Sequence, residues 1–233
     1  MRATQIDKDI RDAASTRIGR HDRGGRFMTT ILAAMMGIGL AAMSTTAISQ
    51  NAESSVKQQA EKKAVELCSV CHGPFGVSTS PEFPILAAQR RGYLETQLET
   101  LRDRSRAEKT AHDFMWGIAS GLNDATIDAI ARYYAAQPPA HGTIGDPALI
   151  AKGKRIYEKA DPERYMLACA TCHGTDAEGV RDFPRLAGQH AKYVAKQLEY
   201  IQKTMRRSPV MHGMISNLAP DDIEAVAIYV QSR

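Results

Sequence analysis

Apolar side chains recur in this chain with a period near 3.6 residues at four places. Tyr93, Leu94, Leu98 and Leu101, with Gln97 between them, share one helical face, and Tyr193, Val194, Leu198 and Ile201 repeat it around Gln197. Ile127, Ile130, Ala131 and Tyr134 predict a third helix, and Ile223, Val226, Ala227 and Val230 a fourth, with Asp221 as its expected N-cap. Further helices are expected over 54–67 and from Gly153 to Tyr157. No stretch of five or more residues alternates convincingly between apolar and polar, so the expected fold class is all-α.

The helical faces are paired because the chain repeats itself. Cys68-Ser-Val-Cys71-His72-Gly73, Phe83-Pro84-Ile-Leu86-Ala-Ala-Gln89, Tyr93-Leu94 and Gln97-Leu98-Glu99 return as Cys169-Ala-Thr-Cys172-His173-Gly174, Phe183-Pro184-Arg-Leu186-Ala-Gly-Gln189, Tyr193-Val194 and Gln197-Leu198-Glu199. From Phe83 to Glu99 the offset is 100. Met115, Gly117, Leu122, Ile127 and Tyr133 answer to Met211, Gly213, Leu218, Ile223 and Tyr229 at an offset of 96. Two copies are too few for a solenoid, so the repeat reads as two globular units. The turn-rich stretch Pro138–Pro147 joins them.

Ahead of the repeat, Arg17, Arg20, Arg23 and Arg26 precede an apolar run, Ile31–Met43, and the small residues Ala47 and Ser49 follow. A basic flank, an apolar core and small residues make a secretory signal segment. The core of 13 residues is short beside the ~20 that span a bilayer. Retention as an uncleaved anchor is the other reading. A start at Met28 would discard the basic residues, so an upstream start fits better. The expected organisation is a leader over 1–49, a first unit over 50–140 and a second over 141–233, the last two exported.

Charge changes the picture little. The net +4 divides into +3 over 1–49 and +1 over the remainder, so no basic stripe is left to argue for nucleic acid. Aromatic residues make up only 6% of the chain, so a buried cofactor is a candidate to fill part of the core.

Cys68, Cys71, Cys169 and Cys172 are the only cysteines. Each Cys-x-x-Cys is followed by histidine, the spacing that attaches a c-type haem: two thiols reach one edge of the macrocycle, and the adjacent imidazole lies under the ring. A zinc knuckle needs its two pairs close together, and these lie about 100 residues apart. A thioredoxin-type dithiol needs a βαβ context. Two covalently bound haem c groups are therefore expected, with His72 and His173 as proximal iron ligands.

The sixth ligand separates catalysis from electron transfer. Met115 is the one methionine between Gly73 and Pro138, and the repeat maps it onto Met211. Met205 and Met214 have no counterpart in the first unit. His112, His212 and His190 map onto Ser208, Trp116 and Arg90. Methionine alone occupies a shared position, so Met115 and Met211 are the expected distal ligands. Thioether ligation favours ferrous iron, raises the potential and leaves no open position for oxygen or peroxide. A ligating histidine normally donates its other N–H to a fixed acceptor. The carbonyls of Pro84 and Pro184 are the expected acceptors. Leu86, Leu186 and the Tyr93 and Tyr193 faces are expected to pack the pocket.

These motifs, spread over about 55–233, resemble the class I cytochromes c in their two-haem form, and most closely the cytochrome c-four group. The resemblance implies two cytochrome c folds about a pseudo-two-fold axis, with propionate edges facing the junction. It implies a periplasmic one-electron carrier, not an enzyme. The donor would be a quinol–cytochrome c reductase and the acceptor a haem–copper terminal oxidase, with the carrier soluble or loosely held at the membrane. An electron-transfer subunit of a periplasmic dehydrogenase, oxidising a sulfur compound or an alcohol, is the alternative. A diheme peroxidase would need an open coordination site, which matched methionines argue against. Three features depart from the pattern, one of them the strongly charged segment Arg102–Arg106, which bears on the first unit's packing and surface. Ala88 stands where the second unit has Gly188, and Ala60 or Ala64 must serve the close helix crossing that Gly153 can serve.

Overall fold

The computed structural model describes residues 53–233, so the expected leader lies outside the described residues. Helix α1 covers 53–72, passing through a π-helical turn at Ala64–Cys68 before Ser69–His72. Then follow α2 (Arg91–Arg102), α3 (a π turn at Ala111–Met115 running into Trp116–Ala119) and α4 (Asp124–Ala135). The second half has α5 (Pro147–Glu158), α6 (Ala170–His173), α7 (Ala191–Gln202), α8 (Pro209–Ile215) and α9 (Pro220–Gln231). Among the described residues there is no strand, only an antiparallel bridge between Asp161 and Met166.

The duplication is carried into the backbone. Helices α2 and α7 keep the offset of 100 at both ends, and α4 and α9 keep the offset of 96. Each half has its own core. Ala60, Ala64, Leu94, Ile127, Ile130 and Tyr134 build the first, and Tyr157, Val194, Val226, Ala227, Tyr229 and Val230 the second. Full burial of an aliphatic or aromatic side chain contributes about 1.5–3 kcal/mol, so these clusters outweigh local propensity.

Two sequence expectations on helix starts are corrected. Asp221 does not cap α9. The fixed φ of Pro220 starts the helix two residues earlier behind Ala219, and Asp221 falls in the first turn, where its charge meets the positive helix end. Helix α5 begins six residues before Gly153, because Asp146 caps it: its carboxylate accepts from the N–H groups of Ala148 (2.7 Å) and Leu149 (3.2 Å), with Pro147 in the first position.

The close crossings fall where expected. A Cβ on Gly153 would overlap the Ala225 carbonyl oxygen, so α5 rests directly on the α9 backbone. In the first half Ala60 and Ala64 are both buried in the α1–α4 contact, and the Tyr134 hydroxyl donates to the Ala64 carbonyl (3.3 Å). Ala88 and Gly188 share one backbone conformation, φ +53° and +75°. Each N–H donates to the last helix of its own half: Ala88 to the Tyr134 carbonyl (3.0 Å) and Gly188 to that of Val230 (2.9 Å).

The two halves clasp each other reciprocally. The Gln89 side chain accepts from the Arg185 N–H (2.7 Å) and donates to the Arg185 carbonyl (2.9 Å). Gln189 does the same to Ile85, at 2.9 Å both ways. Two buried amides thus act as short strands of sheet, satisfying backbone groups that have lost water. Arg106 donates to Tyr193 (3.4 Å) and Gln197 (3.1 Å), while Arg206 donates to Tyr93 (2.8 Å) and Gln97 (2.7 Å). Such exchange is what a two-fold rotation between copies produces.

Candidate functional site

Cys68 and Cys71 lie three residues apart on the last turns of α1, hence on one face, and His72 follows at its end. Cys169, Cys172 and His173 repeat the arrangement around α6. Both helices stop at a glycine in the left-handed region, Gly73 (φ +75°) and Gly174 (φ +82°). A Cβ on Gly73 would overlap the Val77 carbonyl oxygen, so a side chain there would force the loop off the histidine.

Both histidines are buried. His72 Nδ1 donates to the Pro84 carbonyl at 2.8 Å, and His173 Nδ1 to that of Pro184 at 2.9 Å. The Phe83 and Phe183 rings stand edge-on against them, with centroids at 6.2 and 6.4 Å. Burial holds both imidazoles below the usual histidine pKa, so they are neutral, and the carbonyl contact puts the proton on Nδ1. The lone pair is then on Nε2. His173 Nε2 is buried with no partner among the described residues, so its lone pair is free for a ligand. Burial also pushes the Cys68 thiol up, and that of Cys169 to about 11.

One cavity of about 990 Å³ runs along both halves, and Cys68, Cys71, His72 and Met115 line it together with Cys169, Cys172, His173 and Met211. Its remaining wall is largely aliphatic, including Leu94, Leu98 and Ile130 in one half and Val194, Leu198 and Val226 in the other. Leu86, Leu186, Tyr93 and Tyr193 also line it. Met214 reaches the cavity as well, and Met205 is exposed. The remaining candidate histidines are engaged elsewhere. His112 meets Asp113 (2.9 Å), His190 meets Ser78 (2.9 Å), and His212 donates to the Ile201 carbonyl (3.0 Å). Among the described residues no group of three His, Cys, Asp or Glu side chains could hold a bare metal ion. Paired thiols, a neutral imidazole with a free lone pair and an apolar cavity fit a covalently held haem in each half.

Residues 150–233 match the family model described as Cytochrome c. A cytochrome c4 of Thiocapsa roseopersicina is 36% identical, over 75% of this chain and 91% of its own length. This chain belongs to the cytochrome c4 family. Membership brings the two-domain class I cytochrome c fold, two covalently bound haem c groups and the role of an electron carrier, not an enzyme. The cytochrome c4 structure of Acidithiobacillus ferrooxidans superposes with a TM-score of 0.68 at 36% identity, covering 71% of this chain and 98% of that one. A thiosulfate dehydrogenase electron acceptor of Thiomonas intermedia is 33% identical, over 71% of this chain and 78% of its own.

Sequence reasoning passed over the residues that join the halves. Gln89 and Gln189 lie inside the repeat, and Arg106 and Arg206 continue its offset of 100. That continuation was the available signal. The charged stretch Arg102–Arg106 is not merely a surface feature. Arg106 is largely buried against Glu108 (2.5 Å), while Arg102 donates to the Leu122 carbonyl (3.1 Å) and pairs with Asp124 (2.7 Å).

Proposed function

We propose that this cytochrome c4 is a periplasmic one-electron shuttle whose two irons are ligated by His72 with Met115 and by His173 with Met211. Cys68, Cys71, Cys169 and Cys172 hold the macrocycles. The observation that carries the reading is the matched pair of Nδ1–proline carbonyl bonds, with His173 Nε2 left buried and unpartnered. Haem c supplies reversible one-electron chemistry at each site when bound. The chain's own contribution is to hold the ligands still and keep water out. The proline carbonyls orient the imidazoles and increase their basicity. The aliphatic wall lowers the local dielectric, and the thioethers of Met115 and Met211 would hold the haem iron and favour its ferrous state. The export leader over 1–49 and the division into units at 50–140 and 141–233 belong to the same proposal.

Haem staining after denaturing electrophoresis should persist in the wild type. The ferric protein should show the near-infrared sulfur-to-iron band, which Met115→Ala and Met211→Ala each weaken and the double variant abolishes. A band surviving in the double variant rejects the methionine assignment.

The leading partners are a quinol–cytochrome c reductase as donor and a terminal oxidase as acceptor. The Thiomonas relative favours a second reading, in which a sulfur-compound dehydrogenase is the donor. Stopped-flow reduction by each donor separates the two. Rapid reduction by thiosulfate dehydrogenase and none by the reductase selects the second.

A further inference from the structure

One guanidinium on the cavity wall has nothing to bind. Arg185 follows Pro184, whose carbonyl holds His173, and it lines the cavity. Its backbone is fixed from both sides by Gln89 of the other half. Its side chain makes no hydrogen bond or ion pair with any described residue, and its Nε is buried. Arg90, reaching across from the first half, also has a buried, unpartnered Nε and no ion pair, although it donates to the Gly179 carbonyl. Partial burial, and after it the positive charge of Arg90, disfavour the charged form of Arg185. Glu178 is the one carboxylate acting on Arg185 with the opposite sign, and it is turned towards its own loop, accepting from the Asp176 N–H (3.0 Å). By contrast, Arg106 is held by Glu108 at 2.5 Å.

Arg185 is half-buried with its Nε shut away from any partner, which is costly, and the guanidinium fork matches the two oxygens of a carboxylate. We propose that Arg185, backed by Arg90, is a carboxylate-binding site that takes a propionate of the haem attached at Cys169 and Cys172. The proposal rests on the haem assignment above. It is specific to the second half, because the repeat places Ile85 opposite Arg185 and His190 opposite Arg90. The two haems therefore differ in electrostatic setting while sharing a ligand set. A cation beside one iron stabilises its ferrous state, and at an effective dielectric near 20 its removal is worth at least about tenfold in the reduced-to-oxidised ratio.

The test is a redox titration of the intact haem-loaded protein, comparing wild type, Arg185→Gln and Arg185→Lys. Arg185→Gln should shift one of the two one-electron steps downwards by about tenfold in that ratio and leave the other in place. Arg185→Lys keeps the charge without the fork, and its shifted step should lie between those of wild type and Arg185→Gln. The redox-induced infrared difference spectrum should show a carboxylate band that moves in both variants. If either folded variant keeps both steps and the carboxylate band at their wild-type positions, the proposal is overturned. Persistent haem stain and near-infrared band in that variant would show that the ligation reading stands without it. Loss of stain in the wild type would instead reject the haem assignment.

Discussion

At the scale of single residues, Ala88 shows how strongly the repeat dictates backbone. It is held at φ +53°, where its Cβ is crowded and where the second half uses Gly188 at φ +75°. Its N–H bond to the Tyr134 carbonyl keeps it there. The left-handed conformation costs a non-glycine residue roughly 1–2 kcal/mol, of which glycine's greater unfolded-state freedom offsets about half. Ala88→Gly should therefore stabilise the protein by about 0.5–1 kcal/mol in denaturant melts. Gly188→Ala should do the reverse and more, since its new Cβ would lie 2.9 Å from the Ala140 carbonyl oxygen. Equal melting of the two variants would contradict this account. The residues proposed to hold the haems were legible at this scale because Cys-x-x-Cys-His states its chemistry locally. The choice between Met211 and Met214 was made by the repeat, and the cavity wall admits both.

Among the helices, α5 and α9 meet backbone to backbone at Gly153. Gly153→Val would drive a branched side chain into the Ala225 carbonyl, where there is no room even for a methyl group, and overpacking of this kind costs about 1–3 kcal/mol. Its thermal midpoint should fall well below that of Lys154→Val, on the solvent side of the same helix. An ion-pair clasp supports the contact: Asp222 on α9 meets Lys152 on α5 at 2.8 Å and Arg164 in the following loop at 2.6 Å. The hydrogen bond from Lys152, joined by that from Arg164, holds its carboxyl below the usual aspartate range. A depressed carboxylate pKa adds stability above the unfolded value near 3.9, and that stability is lost as pH falls through the folded value. Asp222→Asn should thus be about 1–3 kcal/mol less stable at pH 7 and approach wild type as pH falls through the depressed folded value. Urea midpoints across this range will check it. Helix positions were read correctly from the 3.6-residue period. Two starts were misplaced because prolines and caps, not apolar residues, decide where a helix begins.

For the whole molecule, the question is what makes two halves into one body. Gln89 and Gln189 each satisfy two backbone groups of the opposite half, and either substitution leaves both unpartnered. An unsatisfied buried group costs about 1–3 kcal/mol. Gln89→Ala with Gln189→Ala should raise amide exchange at Ile85 and Arg185 before it affects α4 or α9, separating the halves without melting them. Exchange rising uniformly through both cores would show instead that the halves fold as one.

The sequence by itself determined the fold class, the duplication, the thiols and histidines, and the shared methionine positions, because each is written in residue types at fixed short spacing or in the repeat. It also singled out Pro84 and Pro184, whose carbonyls meet the histidines 12 and 11 residues upstream. Only the tertiary structure decided which side chains face one another across the junction. Gln89 with Arg185, Gln189 with Ile85, and the arginines with the opposite tyrosines are separated by 87 to 113 residues along the chain. No local period encodes such pairs. They exist because two similar surfaces, once folded, can bury their polar groups only against each other.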